Sequence, residues 1–297
     1  MTLTNDPVAL DAWYAVATAS EVTHRPCRTR LLGQDIAIDR CPGSGAVRVR
    51  PVLEGGTYGT PLPVTERYAC VFTTFGSPDT ALVEIGEADE PDRRVVPCGW
   101  FTISTSGPRI VENFLDMAHF PYVHTDILGS EPHTDVGPYR AEIRMDVDEV
   151  WATGCHFWQP RGAATEREGG GMMMHIDYRV PSPFIVMLYR VAPSAPERRD
   201  AIVLFIQPME EDICRAQPVE FLVDETSTHT DLLHFEQVIF LQDRLILENQ
   251  VPRRLPLSGQ AEIPTRADTA SVAYRRWLVA KGLGYGTILP PQQGGHP

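Results

Sequence analysis

The sequence predicts an α+β fold in which a strand-rich N-terminal region precedes a large antiparallel sheet and a long C-terminal helix. Three observations support this prediction. The first hundred residues read as short strands separated by turns, and residues 141–224 contain successive strand-like segments divided by proline, glycine and charged turns. Residues 228–250 repeat apolar side chains at helical spacing. Several antiparallel strands in succession favour one large curved sheet.

The N-terminal region is predicted to begin with a hairpin. QDIAID at 34–39 and AVRVRPV at 46–52 flank the turn signal CPGSG. Further strands are predicted at 68–75 and 81–85. The polar, proline-containing segment 88–94 indicates a boundary near residue 100, so we expect one domain over residues 1–100 and a second over 101–297.

The charge balance excludes several classes of partner. The chain has 297 residues with 26 basic and 39 acidic side chains, a net charge of −13. Binding to nucleic acid or to an anionic membrane needs a positive surface, so neither is expected as a partner. No apolar run has the length of a membrane span, and no signal peptide is visible at the N-terminus. We expect a cytoplasmic protein.

The six cysteines are widely separated, and the closest two are Cys27 and Cys41. The sequence contains no C-x-x-C, C-x-H or C-x-x-H pair. A metal site built from close thiolate ligands and a disulfide framework are therefore both disfavoured. We expect reduced and mostly buried cysteines, as in other cytoplasmic proteins.

A second helix is predicted over PRIVENFLDMAHF at 108–120, because its apolar residues follow helical spacing. Asn113, Asp116 and His119 share its opposite flank. His119 and His124 would point about 140° apart on an unbroken helix. Pro121 is predicted to stop the helix between them, so that both imidazoles can face one point. Two unrelated histidines on a solvated face remain the alternative.

The C-terminal helix contains one acidic residue that falls close to its apolar stripe. At about 100° per residue, Asp243 lies within roughly 40° of that stripe. A carboxylate facing the core needs a cation, a hydrogen-bond network or a proton, although it can also reach solvent or pair with an arginine. Two imidazoles and one carboxylate with open positions are the facial triad of non-haem Fe(II) oxygenases. Asp116 could accept the second N–H of a metal-bound His119.

These motifs resemble a known family. The pattern N-x-x-D-x-x-H-x-x-x-x-H, starting at Asn113, and the later helix FLQDRLILENQ resemble the catalytic domain of Rieske non-haem iron oxygenases of the vanillate and dicamba O-demethylase group. The segments AWYAVATASEV, RPCRTRLLGQDIAI and ERYACVFTTFG resemble the start of those proteins and the strand after their Rieske cluster. The resemblance implies that His119, His124 and Asp243 are iron ligands. It also implies that Asp116 couples the iron to the cluster of a neighbouring subunit in a trimer, and that Asn113 lies near the iron.

The sequence departs from the family pattern in its N-terminal domain. The C-x-H and C-x-x-H ligand pairs of a [2Fe–2S] cluster are missing. Only about twenty residues separate Val47 from Tyr68, where the family has its cluster-bearing insertion. We therefore expect a Rieske-like β domain without a cluster. In this respect the chain resembles the Rieske-less catalytic component of bacterial methylxanthine N-demethylation, whose cluster is carried by a separate reductase chain.

The predicted function is that of a catalytic oxygenase subunit, with Fe(II) as cofactor and O₂ as co-substrate. Its electrons would come from a reductase or ferredoxin that carries the Rieske cluster. It would hydroxylate, or N- or O-demethylate, a small aromatic or heterocyclic molecule, as a homotrimer or with a second oxygenase subunit. A non-catalytic subunit of an oxygenase complex and a zinc-dependent hydrolase remain as alternatives.

Three residues are candidates for contact with the substrate. Trp158 and Met173 lie in the sheet region expected to cover the iron, although Met and aromatic residues also fill ordinary cores. Gln250 ends the C-terminal helix and returns to the face of Asp243, where it could bond a polar substrate edge. A solvated helix end is the alternative for Gln250.

Overall fold

The computed structural model describes residues 3–78, 81–161, 170–259 and 261–290. The N-terminal part contains two antiparallel three-stranded sheets with strand orders β1-β6-β5 and β2-β3-β4. Its elements are α1 (Pro7–Leu10), β1 (Tyr14–Thr18), β2 (Cys27–Leu31), β3 (Gln34–Arg40), β4 (Val47–Pro51), β5 (Val64–Arg67) and β6 (Cys70–Thr73), with short 3₁₀ turns at Ala19–Glu21, Glu54–Gly56 and Gly86–Asp89.

The predicted hairpin is present as β3 and β4, with Ile38 opposite Val49. The prediction of a strand at 81–85 is wrong, because this segment is irregular. Leu82 and Ile85 are still buried, and the backbone N–H of Ile85 donates to the hydroxyl of Tyr68. The apolar side chains of this segment are thus buried without strand pairing. Its backbone forms a hydrogen bond to a side chain instead of to a neighbouring strand.

The large sheet has eight strands, all antiparallel, in the order β7-β14-β13-β12-β11-β10-β9, with β8 also paired to β14. Its strands are β7 (Arg94–Pro97), β8 (Phe101–Ile103), β9 (Arg140–Arg144), β10 (Glu149–Gln159), β11 (Met172–Ser182), β12 (Ile185–Ala192), β13 (Ala195–Glu210) and β14 (Ile213–Leu222). The sheet confirms the predicted α+β class.

Alternate residues of the large sheet are buried against two different layers. Val203 and Phe205 of β13 pack with Phe72 of the N-terminal sheets, whereas Leu204 and Ile206 belong to the cluster that includes the helices. Burial on both faces explains why AIVLFI is a continuous apolar run and not an alternating one. The face toward the helices carries the site described below.

The remaining helices are α2 (Gly107–Leu115), α3 (Phe120–Val123), α4 (His229–Leu247) and α5 (Thr269–Lys281), and a 3₁₀ turn at Arg266–Asp268 precedes α5. A short parallel pair is formed by β15 (Leu255–Pro256) and β16 (Thr287–Ile288). Helix α2 packs tightly on the sheet, because a Cβ at Gly107 would lie 2.7 Å from the ring of Phe184. Thr228 and Asp231 form a capping box that starts α4.

The predicted helix over 108–120 is wrong at its C-terminal end. Helix α2 ends at Leu115, since Asp116 has extended backbone and its carboxylate accepts from the N–H of Ala118. Pro121 does not stop a helix but occupies the first turn of α3, where its missing N–H costs nothing. The histidines are therefore separated by a break that begins earlier than predicted.

Strands on both sides of residue 100 pair with β14, since β7 precedes that residue and β8 follows it. The division into domains 1–100 and 101–297 stays a prediction. In the described ranges, no helix is both long and apolar enough to cross a membrane.

Candidate metal centre

Three side chains from two separate stretches of the chain converge on the helix-covered face of the sheet. His119 Nε2 lies 3.1 Å from His124 Nε2 and 3.3 Å from Asp243 Oδ1. His124 Nε2 lies 3.1 Å from the same carboxylate oxygen. The histidines flank α3, and Asp243 comes from α4, so the site forms where the α2–α3 segment meets the C-terminal helix.

Each imidazole is held through its other ring nitrogen. Asp116 Oδ2 lies 3.0 Å from His119 Nδ1, and Gln242 Oε1 lies 2.9 Å from His124 Nδ1. Both partners are acceptors, so each imidazole can donate its Nδ1–H and leave Nε2 free for a proton or a metal ion. Both Nε2 atoms point into the space shared with the Asp243 carboxylate.

The carboxylate is also held in place. The amide of Asn113 donates to Asp243 Oδ1 at 2.9 Å, which links α2 to α4 beside the histidines. Burial alone would raise the pKa of Asp243, but hydrogen bonds from His119 and His124 outweigh it and lower the pKa to about 2. The group is therefore ionised at neutral pH.

His119 has the opposite shift. Burial would lower its pKa, but hydrogen bonds to Asp116 and Asp243 raise it to about 9. A proton is thus attracted to the point where the lone pairs and the carboxylate meet, so the site favours a positive charge.

The donor set and its spacing fit a metal ion. Ligand atoms about 2.1 Å from one ion and at right angles are about 3.0 Å apart, close to the separations of 3.1 and 3.3 Å between these atoms. Two imidazoles and one carboxylate with positions left open are typical of non-haem Fe(II). His119, His124 and Asp243 are the group of described residues that could hold it.

Comparison with known proteins assigns the family. Residues 103–281 match the family described as the vanillate O-demethylase oxygenase C-terminal domain. The chain is also 40% identical over 279 residues to the probable methylxanthine N7-demethylase NdmC of Pseudomonas sp. (strain TJI-51), covering 94% of this chain and 96% of that protein. The chain belongs to this family. The predicted resemblance to Rieske-type oxygenase catalytic domains is confirmed.

Solved structures of this family have the same fold. NdmA from Pseudomonas putida CBB5 matches with a TM-score of 0.70 at 14% identity, covering 91% of this chain and 89% of that one. Dicamba monooxygenase bound to dicamba matches with a TM-score of 0.70 at 17% identity, covering 93% and 99%. Because the matching family is one of oxygenase domains, this chain is an oxidoreductase.

A cavity adjoins the three converging side chains of this oxygenase. Mostly apolar residues line it, among them Leu188, Ile202, Phe235 and Ile239. Besides the triad and Asn113, four polar residues line the same cavity: Gln159, Arg190, Glu220 and Glu236. A cleft with apolar walls and few polar groups is the usual form of a small-molecule site.

None of the three predicted substrate residues is among the residues that line this cavity. Met173 is 50% exposed on β11, because strand alternation buries its neighbour Met174 instead. Trp158 stacks on His133 with ring centroids 4.4 Å apart. Gln250 lies beyond the end of α4 and lines a separate groove with Asn113 and Asp116. The three substrate contacts stay predictions, and the structure places these side chains outside the lining of this cavity.

Sequence reasoning missed Gln242, Glu220 and Glu236. Glu236 was detectable, because seven residues on a helix bring it within about 20° of the direction of Asp243. Gln242 points about 100° away from Asp243 on the same helix. Its contact with His124 therefore becomes visible only once the structure places His124 beside α4. Glu220 lies in the apolar strand PVEFLV. Which side chains of this strand face α4 depends on how β14 pairs within the sheet, and the sequence does not show that pairing.

Proposed function

We propose that this chain is the catalytic oxygenase component that removes a methyl group from a small heterocycle, with O₂ and an Fe(II) held by His119, His124 and Asp243. The observation that carries the proposal is the convergence of Nε2, Nε2 and Oδ1 within 3.1–3.3 Å. When bound, the iron supplies the redox chemistry that inserts an oxygen atom into a C–H bond of the methyl group.

The residues of the chain position and protect that chemistry. Asp116 and Gln242 fix the imidazole tautomers, and Asn113 fixes the carboxylate, so the three ligand atoms would hold the ion together. The same side chains line the cavity, where O₂ and substrate would meet among apolar side chains. Apolar walls exclude water and keep the reaction coupled to the substrate.

The reaction needs an external reductant. Conversion of R₂N–CH₃ and O₂ into R₂N–H, formaldehyde and water consumes two electrons and two protons. We place their source in a partner, a reductase or ferredoxin with a Rieske cluster, because the sequence lacks the ligand pairs of that cluster. Asp116, whose side chain is partly exposed and lines an outer groove, is the proposed entry point.

The substrate class and cellular context are part of the proposal. The NdmC relative is named as a probable methylxanthine N7-demethylase, which favours N-demethylation of a heterocycle over O-demethylation or ring hydroxylation. The six cysteines are free, which supports a cytoplasmic location. A trimer, or a complex with a second oxygenase subunit, remains a prediction.

The test is reconstitution. The chain is loaded with Fe(II), mixed with O₂, a methylxanthine and a reductase that carries a Rieske cluster, and formaldehyde is measured. We expect the chain to bind one equivalent of iron. We expect formaldehyde to form only in the complete mixture. His124→Ala should abolish both, whereas His234→Ala, an exposed histidine of α4, should leave them unchanged. A folded wild-type chain without iron would indicate a structural subunit, and loss of the substrate without O₂, reductase or formaldehyde release would indicate hydrolysis.

A further inference from the structure

Two carboxyl groups lie in the wall of the cavity beside the proposed metal centre, and the proposed function does not use them. Glu220 projects from β14 and is 3% exposed, and Glu236 projects from α4 and is 8% exposed. Glu236 precedes Asp243 by two helical turns, which places it about 10 Å from that ligand along the helix axis on nearly the same face. The cavity therefore has a metal end and an acidic end.

These carboxyls lack the partners that buried acids normally have. Within the described ranges, no hydrogen bond contributes to the environment of Glu236. From the described residues, Glu220 accepts only a weak bond from the Cys98 thiol, at 3.8 Å. Burial raises the pKa of Glu236 to about 7, and burial together with the charge of Glu236 raises the pKa of Glu220. At least one of the two therefore holds a proton near neutral pH.

The nearby cations do not neutralise the pair. Arg190 attracts both carboxyls, but its guanidinium lies 3.6 Å from Asp200, which also lies 3.8 Å from Arg93. Asp200 thus shares the positive charge of both arginines. Asp243 at the metal end adds a further negative charge that acts on Glu236.

Two further polar atoms of the cavity residues form no hydrogen bond to any described residue, although one of them, the Nε of Arg190, lies 3.6 Å from Asp200. The side-chain oxygen of Gln159 and the Nε of Arg190 are buried without a hydrogen bond in the described part of the chain. Gln159 itself is 3% exposed. An unpaired buried donor or acceptor is costly, so such groups in the wall of a cavity indicate a ligand that completes their hydrogen bonds.

We propose that Glu220 and Glu236 are specificity-determining residues, which select an uncharged heterocycle carrying a lactam edge, a ring N–H beside a C=O, and reject aromatic carboxylates. A protonated carboxyl presents one donor and one acceptor, the complement of that edge. A carboxylate ligand would meet two acidic groups and would be repelled. This inference rests on the proposed function, because it assigns that site its substrate class.

Three probes test the inference by equilibrium binding. Theobromine and caffeine differ only at one ring nitrogen, which carries a hydrogen between two carbonyls in theobromine and a methyl group in caffeine. The third probe, 3,6-dichlorosalicylic acid, is an aromatic carboxylate. Each is titrated calorimetrically into the chain without O₂ or reductase, both with and without Fe(II). We expect theobromine to bind at least about tenfold more tightly than caffeine, and the acid to bind more weakly than either.

The variants separate hydrogen bonding from packing. Glu236→Leu and Glu220→Leu should each reduce the preference for theobromine over caffeine to within about twofold. Glu236→Gln should retain the preference, because an amide also presents a donor and an acceptor. Glu225→Leu, at an exposed position just before α4, is the matched control and should behave as the wild type. Thermal unfolding verifies that each variant is folded.

The inference is wrong if both leucine variants keep the wild-type preference, if the acid binds more tightly than theobromine, or if the folded wild type binds none of the probes. The proposed function fails separately. Formaldehyde release with an unchanged preference in the variants overturns only the inference, whereas the expected preferences without formaldehyde release overturn only the proposed function.

Discussion

Asp243 and Glu236 are buried carboxyls on the same face of helix α4, and their environments are opposite. Two imidazoles and the amide of Asn113 surround Asp243 and lower its pKa to about 2. Glu236 has no hydrogen-bond partner among the described residues, and its pKa is raised to about 7. Burial opposes ionisation at both positions, so the partners decide the outcome. This difference fits the proposed roles, in which Asp243 holds a cation and Glu236 contacts an uncharged ligand.

The largest difference between Asp243 and Glu236 is expected in Fe(II) affinity when each carboxyl is replaced by an amide. Asp243→Asn removes the negative ligand, so we expect at least a roughly hundredfold loss of Fe(II) affinity. Glu236→Gln should change that affinity by no more than about threefold, since it lies two turns away. Anaerobic Fe(II) titration of both variants measures the effect. Equal losses in the two variants would remove the distinction.

The partners of the imidazoles should matter next. Gln242→Leu leaves the Nδ1–H of His124 without its acceptor, and we expect Fe(II) affinity to fall by about tenfold to a hundredfold. Gln250→Leu is the matched control, because Gln250 lies in a separate groove and should leave the affinity unchanged. The same titration applies. A larger effect at Gln250 would place it nearer the metal than the structure does.

The buried carboxyl of Glu236 should make the free energy of unfolding depend on pH. The folded chain keeps a proton on Glu236 up to about pH 7, while the unfolded chain releases it near the ordinary value of 4.5. Stability therefore falls as pH rises between these values. Glu236→Gln should raise the free energy of unfolding of the metal-free protein by about 3 kcal/mol at pH 8 and by little at pH 4.5.

Urea unfolding at the two pH values gives this difference, with the exposed Glu225→Gln as control. If Glu236→Gln destabilised the protein at pH 8, Glu236 would be an ionised partner of Arg190. The two carboxyls of α4 would then be alike.

The smallest effect on substrate affinity is expected at Met173, a predicted substrate contact whose side chain is half exposed to solvent. Met173→Ala removes a half-exposed side chain outside the cavity lining, so theobromine affinity should change by less than about twofold. Calorimetric titration checks this. A tenfold loss would mean that the substrate reaches the outer surface of β11.

The sequence alone was sufficient for the elements with strong periodicity. The apolar stripe of α4, the hairpin β3–β4 and strands β11–β14 were predictable from spacing and turn residues. Residues 81–85 were mispredicted, because apolar content does not distinguish a strand from an irregular segment that packs under Tyr68. The end of α2 depended on the local hydrogen bond from Ala118 to Asp116, which competes with the helix.

For the site, the sequence determined which groups could bind a metal, because residue type and helical phase limit the candidates for a His–His–carboxylate set. Only the tertiary structure decided which neighbours complete it. Gln242, Glu220 and Arg190 come from α4, β14 and β12, and their meeting depends on how the helix lies across the sheet. Contacts between distant segments are set by packing of whole layers, and the periodicity of any single segment does not encode that packing.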